Sequence, residues 1–400
     1  MEYAPSPRVS TLHTRLHRFL QTVVLPQEAA INAALRLAAN ETRSAAAHRL
    51  LEPLREKARL AGLWNLFLPV SMRVSQGLSH WEYAPVAEAI GRIAWAAEIF
   101  NCAQPDAGNM QLLDSFASES LKDAWLDPLL RAETRSAWAA AEPDAPPHQP
   151  DALRTRCVAD AGGWRIDGRK TWVQRLDDSR CASLLVLCRS HPDAPPHRQF
   201  SVLLVPRHAA GIHVGTQFHA SEAATGSWTE VEFDGTRVGH DQVVGQPGQG
   251  LEMLLLRRRI VALHDALWCL GAAERALGLL VARLRSRPAT EQAATGRRDW
   301  QERIARIRTA IETTRMLARR NAWMLDQDDD LPPGQMAMLQ SLALPLAVEA
   351  VESAATAYGT AASDDSLPLA ALAAQLRLMR QIAPPQNTLY AEIAQAEAPG

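Results

Sequence analysis

The hydrophobic periodicity of this chain changes twice, and this limits the possible fold more than any single motif. Between about residues 8 and 132, apolar residues recur every three or four positions, as they do along one face of an α-helix. From about 134 to 244 they form short alternating or continuous runs between turn residues, and beyond Gly250 the helical period returns. We therefore predict an α+β protein with a helical N-terminal domain (1–133), a β domain (134–244) and a C-terminal helical region (245–400).

Individual stretches carry these predictions. In "WTEVEFDG" (228–235), Thr229, Val231 and Phe233 alternate with glutamates before an Asp-Gly pair, which predicts a half-buried strand followed by a turn. The C-terminal region contains apolar residues that form one face of a long helix. These are Ile304, Ile307, Ile311, Ala318, Ala322 and Leu325.

Composition argues against several classes of function. The 42 basic and 44 acidic residues nearly cancel, so no global field favours nucleic acid or an anionic membrane as a partner. No apolar run approaches the ~20 residues of a membrane span, and the start "MEYAPSPRVS" lacks the layout of a secretory signal. We expect a cytoplasmic protein that binds neither nucleic acid nor membrane.

Metal and disulfide sites are not expected. The five cysteines are odd in number, scattered and without a Cys-x-x-Cys pair, which predicts reduced, mostly buried thiols. The hexapeptide "PDAPPH" occurs at 143–148 and 192–197, where proline-rich loops are expected. His148, His191 and His197 lack the carboxylates that would frame a metal site, so we predict no metal.

Other catalytic motifs are missing from the sequence. It contains no Gly-x-Ser-x-Gly elbow, phosphate-binding P-loop or His-Glu-x-x-His helix. The run "GAAERALG" (271–278) has no strand before it, so we interpret it as a small-residue helix seam and not as a dinucleotide loop.

Several separated motifs nevertheless occur in a familiar order. They are "GLWNLFLP" (62–69), "EYAPVAEAIGR" (82–92), "FNCAQPDAGNM" (100–110), "EPD" (142–144), "IDGRKTW" (166–172), "VEFDGTRV" (231–238) and "GAAERAL" (271–277). With the α–β–α order, they resemble the acyl-CoA dehydrogenase superfamily over nearly the whole chain. The nearest branch is the one whose members are often joined to kinase-like domains.

The resemblance implies a fold and a chemistry. The fold is a helical N-terminal domain, a central β domain and a C-terminal four-helix bundle, with FAD between the last two and its adenosine end reaching the neighbouring subunit. A homodimer or homotetramer is therefore expected. In such proteins a carboxylate removes the α proton of an acyl-CoA or other acyl thioester, while flavin N5 accepts the β hydride.

The residues at the two family base positions are apolar. The resemblance places one base at Ala383, within "LMRQIAPPQNTLY" (378–390), and the other at Val261 or Ala262. His264 and Asp265 lie three and four residues beyond Val261, on the same helical face, and are the substitute bases. The alternative is that His264 is an ordinary helix residue and Asp265 a surface partner of an arginine.

The implied FAD contacts are only partly kept. Hydroxyl residues of the family are replaced by Ala141, Pro147 and Gln174, the last with Arg175 beside it. Each lost hydrogen bond is worth about 0.5–1.5 kcal/mol. The cofactor-binding positions carried over from the resemblance are Trp172, Gln174, Arg287, Gln301 and Gly359.

Two of the notable features have ordinary alternatives. The triple Arg257-Arg258-Arg259 either meets CoA or FAD phosphates or is a solvated surface, and we predict the latter because charge runs usually are. Trp172 is either a core tryptophan or a wall of the flavin site, and its "GRK-x-W" context favours the wall.

Two classes of function remain open. The first is a divergent FAD-dependent oxidoreductase acting on an acyl thioester, with a displaced base or with a changed reaction such as flavin-mediated oxygenation. The second is a non-catalytic subunit or binding protein that keeps the fold and forms a hetero-oligomer with an active paralogue. Fold alone does not decide between them.

Overall fold

The N-terminal part of the chain is helical. The computed structural model describes residues 6–37, 43–145, 150–219, 227–286, 297–327 and 331–398. The first helices are α1 (Pro7–Phe19), α2 (Glu28–Leu37), α3 (Arg43–Leu60), α4 (His80–Ile90), α5 (Asp106–Phe116), α6 (Glu119–Leu121) and α7 (Asp127–Leu130).

Local sequence signals explain where two of these helices begin. The Ser6 hydroxyl accepts a hydrogen bond from the Val9 amide (3.3 Å) at the start of α1. At the start of α4, Ser79 and Glu82 form a reciprocal capping box. Both arrangements satisfy amides that have no partner within the helix.

The central part forms one mixed sheet. Its strands are β1 (Arg135–Ala139), β2 (Arg156–Asp160), β3 (Gly163–Gln174), β4 (Cys181–Arg189), β5 (Phe200–Pro206), β6 (Ile212–His219), β7 (Ser227–Val238) and β8 (Val243–Val244). The order is β6-β7-β3-β2-β4-β5-β8, and β1 pairs in parallel with β4. As a result, β1 and β3, the strands that lead into "EPD" and contain "GRKTW", lie in the same sheet.

The alternating pattern at 229–233 is confirmed as a half-buried strand, but the turn predicted after it is wrong. Thr229, Val231 and Phe233 are buried, as expected. The strand β7 continues through Asp234 and Gly235 to Val238. Gly235 has φ +60°, and the pairing with β3 shifts register nearby, so the Asp-Gly pair forms an irregularity within the strand.

The C-terminal part is a helical bundle. Its helices are α8 (Gly250–Ser286), α9 (Arg297–Leu325), α10 (Gln335–Tyr358), α11 (Leu369–Ile382) and α12 (Gln386–Glu397). Ile307, Ile311, Ala318 and Ala322 are buried on α9, which confirms the predicted apolar face. None of the helices within the described ranges is apolar over a length sufficient to cross a bilayer.

A glycine contact joins the bundle to the N-terminal domain. Gly271 of α8 packs so closely on α4 that a Cβ atom there would lie 2.1 Å from the Glu88 carbonyl oxygen. A Cβ on Gly91 would lie 2.4 Å from the Trp268 Cα. The "GAAERALG" run is therefore a helix seam, as its sequence predicts.

Candidate functional site

The segment that follows β1 is attached to β3 by hydrogen bonds to its backbone carbonyls. The Thr171 amide donates to the Ala141 carbonyl (2.9 Å), and Lys170 Nζ donates to the Ala140 carbonyl (3.0 Å). Ala141 is one of the positions where the resemblance places a hydroxyl side chain that would contact the cofactor. The backbone there is fixed even though the hydroxyl is missing.

The buried side chain of Glu142 completes this arrangement. Its carboxylate accepts hydrogen bonds from Lys170 Nζ (2.9 Å) and from the amides of Arg154 (2.6 Å) and Thr155 (2.9 Å). Burial works against ionisation, yet the Lys170 ammonium holds the pKa of Glu142 below its ordinary value. The ion pair thus connects the chain after β1 with β3 and with the entry to β2.

Trp172 projects from an irregularity in β3. Its φ is +56°, the pairing with β7 shifts register between Lys170 and Val173, and 57% of its surface is exposed. Gln174 follows, half-buried, and Arg175 has φ +69°. A left-handed backbone at a residue other than glycine costs of order 1–3 kcal/mol and is concentrated at functional sites. The Trp172 side chain is therefore exposed on the surface of the sheet and is not part of the core.

A buried ionic network holds Arg175. Its guanidinium forms an ion pair with Glu98, which also pairs with Arg55 (3.1 Å) and Arg135 (3.5 Å). Burial works against ionisation, but these three guanidiniums hold the pKa of Glu98 well below its usual range. The network connects the N-terminal domain with β1 and β3.

The start of α5 contributes the second carboxylate of this network. One oxygen of Asp106 accepts hydrogen bonds from the Ser136 amide (2.7 Å) and hydroxyl (2.8 Å). The other oxygen accepts from Arg135 (3.1 Å). Because both oxygens are used, Asp106 is a structural anion that anchors the beginning of β1.

Arginines from two domains contact the loop before α5. Arg175 donates through Nε (3.1 Å) and Nη2 (3.0 Å) to the Gln104 carbonyl. Arg257 of α8 donates through Nη2 to the Pro105 carbonyl at 3.4 Å, a weak hydrogen bond. The N-terminal domain, the sheet and the bundle therefore meet at Gln104 and Pro105.

The Arg257 guanidinium is packed into this junction. It lies over the Trp138 ring at 4.7 Å from the ring centroid. A Cβ atom on Gly108 would lie 2.9 Å from its Nε. Burial lowers the pKa of Arg257 to about 10. The predicted solvated face is thus wrong for Arg257, because α5 and β1 cover its guanidinium.

His264 faces the core of the N-terminal domain. Its ring centroid lies 5.1 Å from that of Tyr83, 6.4 Å from His80 and 6.5 Å from Phe67. The side chain is fully buried, and burial together with His80 lowers its pKa to about 3. His264 is therefore neutral at physiological pH.

Asp265 occupies a different face of α8. It is half-buried, and burial raises its pKa to about 7, while the Arg257 charge works in the opposite direction. Arg257, Val261 and Asp265 are spaced by four residues, so they lie along one stripe of the helix. The two charged residues thus flank Val261, one of the positions where the resemblance places a base.

Ala383 closes α11. Its amide donates to the Met379 carbonyl (2.8 Å), and the chain then extends through Pro384 and Pro385 into α12. The Gln386 amide group donates to the Ser341 carbonyl of α10 (3.1 Å), which fixes the turn. The backbone of this turn is held in place, and residue 383 presents a methyl group.

The remaining cofactor positions lie at the other end of the bundle. Gln301 is exposed on the first turns of α9, and Gly359 caps α10 with φ +63°. Gly359 adjoins Tyr358, whose ring lies 5.5 Å from the Arg283 guanidinium. Arg287, like Pro147 and His148, lies outside the described residues. The structure thus separates Gln301 and Gly359 from Trp172 and Gln174.

Two features of the candidate site are not evident from single motifs. The Glu98–Arg175 pair joins residues that are far apart in sequence, and no local pattern indicates it. Arg257 could have been found from helical register, since it lies four residues before Val261 and eight before Asp265.

Family models match most of the two C-terminal domains. The acyl-CoA dehydrogenase middle-domain model matches residues 137–236, and the C-terminal-domain model matches residues 250–397.

Relatives extend the match to the N-terminal domain. A protein of Mycobacterium tuberculosis, described as a probable acyl-CoA dehydrogenase, is 33% identical and covers 99% of this chain and 97% of its own. Acyl-CoA dehydrogenase family member 10 of the mouse is 32% identical over 98% of this chain. The chain spans 37% of that mouse protein's length.

Solved structures agree with this likeness. A proposed acyl-CoA dehydrogenase from Mycobacterium abscessus superposes with a TM-score of 0.87 at 31% identity, covering 99% of each chain. A glutaryl-CoA dehydrogenase from Mycobacterium smegmatis in complex with FADH2 has a TM-score of 0.81 at 16% identity. That match covers 99% of this chain and 96% of the other, and it supports the fold alone.

Proposed function

The chain belongs to the acyl-CoA dehydrogenase family, and from this premise we propose that it is a flavoprotein that oxidises an acyl thioester with Asp265 as the base. The observation that carries the proposal is the position of Asp265, a half-buried carboxylate with a raised pKa, one helical turn beyond Val261. The thioester is one of CoA or of an acyl carrier.

The residues near β1 and β3 fit the flavin end of FAD. Trp172 offers an exposed aromatic face, and the Gln174 amide provides a donor and an acceptor where the family has a hydroxyl residue. The main chain at Ala140 and Ala141 is held by Lys170 and Thr171. Bound FAD would supply the acceptor for the β hydride.

Removal of the α proton, which accompanies transfer of the β hydride, is assigned to Asp265. A base is most effective when its pKa lies near the working pH, and burial raises the pKa of this carboxyl to about 7. In the ionised form it would take the α proton, and the charge of Arg257 favours that form. His264 is the weaker candidate, because its pKa of about 3 makes it a poor base and it faces the N-terminal core.

The separation of the two groups of cofactor positions supports an oligomer. Arg257 lies near the segment that contains Trp172 and Gln174, whereas Arg285 lies near the start of α9. The 28 residues of α8 that separate these two arginines span about 42 Å. Both groups can hold one FAD only if a second copy brings its Gln301 and Gly359 to the first copy's Trp172. We therefore propose a homodimer or homotetramer that shares FAD across subunits.

The second candidate is a non-catalytic subunit partnered by an active paralogue. It is favoured by Ala383 and Ala141, which remove a family carboxylate and a family hydroxyl. Such a protein would keep the fold and the oligomer surface without turnover.

Colour and bleaching separate the two candidates. We expect the purified protein to show flavin absorbance, or to gain it with added FAD, and to bleach anaerobically with acyl-CoA substrates. Asp265→Asn should keep the flavin but lose bleaching, whereas His264→Gln should keep both. A colourless protein that gains no flavin would refute the enzyme proposal, and co-purification with a paralogue would support the subunit. Oxygen uptake without an enoyl product would indicate flavin-mediated oxygenation.

A further inference from the structure

Arg257 has far fewer hydrogen bonds than its donors require. A guanidinium carries five N–H donors, and the one hydrogen bond observed is the 3.4 Å contact to the Pro105 carbonyl. Its Nε is sealed from solvent and has no acceptor within the part of the chain that the structure describes. Charged groups withdrawn from water are normally paired, but Arg257 has no anionic partner among the residues that the structure describes.

The carboxylates nearest to Arg257 do not supply that partner. Asp106 attracts it electrostatically, but both Asp106 oxygens already accept hydrogen bonds from Ser136 and Arg135. Asp265 also attracts it, yet these two residues form no ion pair in the described structure, and eight helical residues separate their Cα atoms by about 12 Å.

The surroundings of Arg257 restrict the directions from which a partner can approach its guanidinium. Trp138 covers one face of the guanidinium, and the glycine at 108 leaves the space that the guanidinium occupies. Arg257 and Asp265 lie on the same stripe of α8. An acyl chain whose α carbon lies at Asp265 can therefore extend its far end along α8 towards Arg257.

The local charge favours one negative charge on that far end. Asp106 is balanced by Arg135, whereas Asp265 forms no ion pair within the described ranges. A single carboxylate would neutralise Arg257 in an ion pair, whereas a doubly charged group would leave an excess of negative charge among these residues.

We propose that Arg257 forms a subsite for a carboxylate at the far end of the acyl group, which makes thioesters of dicarboxylic acids the preferred substrate class. This inference rests on the proposed function of the same site. Arg257 would be a specificity-determining residue, and Trp138 would hold its guanidinium in the orientation that the carboxylate requires.

Binding of unreactive analogues tests the subsite without turnover. The probes are CoA thioethers with a terminal carboxylate and methyl-ended thioethers of equal chain length, titrated by calorimetry into the FAD-loaded protein. Since hydrogen bonds between charged groups contribute about 1.5–3 kcal/mol, we expect the carboxylate series to bind about 10- to 100-fold tighter. Arg257→Gln should abolish the preference, and Arg257→Lys should restore part of it.

The neighbouring arginine provides a matched control. Arg258→Gln removes the same charge from the next position of α8 and should keep the preference. Equal binding of both series, or a preference that survives in Arg257→Gln, would overturn the subsite while leaving the proposed function intact. Failure of both series to bind would overturn the proposed function and the subsite together.

Discussion

Arg175 of the β domain forms a buried ion pair with Glu98 of the N-terminal domain. Trp172 and Gln174, which would contact the flavin, lie in the same short segment as Arg175, where Trp172 and Arg175 both have left-handed backbone. Such conformations persist only where the surroundings over-determine them. The ion pair therefore connects the packing of the N-terminal domain with the geometry of the cofactor site.

Glu98→Gln should be strongly destabilising. The substitution leaves the Arg55, Arg135 and Arg175 guanidiniums buried with less negative charge, and loss of one partner of a buried pair costs about 3–5 kcal/mol. Urea denaturation measures the change. Glu119→Gln is the control, because Glu119 pairs with Arg73 on the surface and should change stability little. Similar midpoints for the two variants would contradict the assigned role of Glu98.

Glu98 also predicts a dependence of stability on pH. Its pKa is lower in the folded protein than in the unfolded chain, so its contribution is fully present above about pH 4.3. That contribution is lost as the pH falls towards the much lower folded value. Wild type should therefore lose stability relative to Glu98→Gln when the pH is lowered below about 4. Parallel curves for the two proteins would argue against an ionised Glu98.

Asp265→Asn should remove a pH dependence from flavin reduction. A base acts in its ionised form, so the wild-type rate of anaerobic bleaching should rise with pH through about 7. The variant should be slow at every pH, while its flavin absorbance remains. Stopped-flow measurements between about pH 5 and 9 test this. A wild-type profile without a step near neutrality would exclude Asp265 as the base.

The same carboxyl gives a test that does not depend on activity. The folded pKa of Asp265, about 7, is above the unfolded value of about 3.9, so the folded state holds the proton more tightly. Stability from this group is present below about pH 3.9 and is lost as the pH rises through 7. Wild type should therefore become less stable than Asp265→Asn between these values, as thermal melts can show.

Lys170→Met should weaken FAD binding more than a surface substitution does. It removes the partner of buried Glu142 and the donor to the Ala140 carbonyl, so the segment before "EPD" loses its attachment to β3. Fluorescence titration with FAD measures the loss. Lys122→Met, which removes the surface partner of Glu119, should leave FAD affinity unchanged. Equal affinity in Lys170→Met and wild type would show that this attachment does not position the cofactor.

Sequence periodicity was sufficient for the fold because both kinds of period reflect burial on one side of an element. The buried faces of β7 and α9 follow their apolar positions closely. The Asp234-Gly235 pair does not form the predicted turn, because a left-handed glycine suits a bulge within a strand as well as a hairpin turn. Only the partner strand decides between the two.

The candidate site was less predictable, since its groups come from distant parts of the sequence. The apolar nature of residues 261, 262 and 383 could be read directly. The pKa of Asp265 depends on how deeply α8 is covered, and the environment of Arg257 depends on Gly108 and Trp138 from other domains. No local pattern contains that information.

Two glycines of α8 should respond in opposite directions to the same substitution. A Cβ on Gly271 would lie 2.1 Å from the Glu88 carbonyl and 2.8 Å from the Gly91 carbonyl carbon, so Gly271→Ala must push α8 away from α4. Gly278, two turns later, has nothing within 4 Å of the added atom. There the loss of backbone freedom in the unfolded chain should make Gly278→Ala more stable by roughly 0.5–1 kcal/mol. Denaturation of both variants tests the seam, because equal stabilisation by the two alanines would show that α4 and α8 are not in close contact at Gly271.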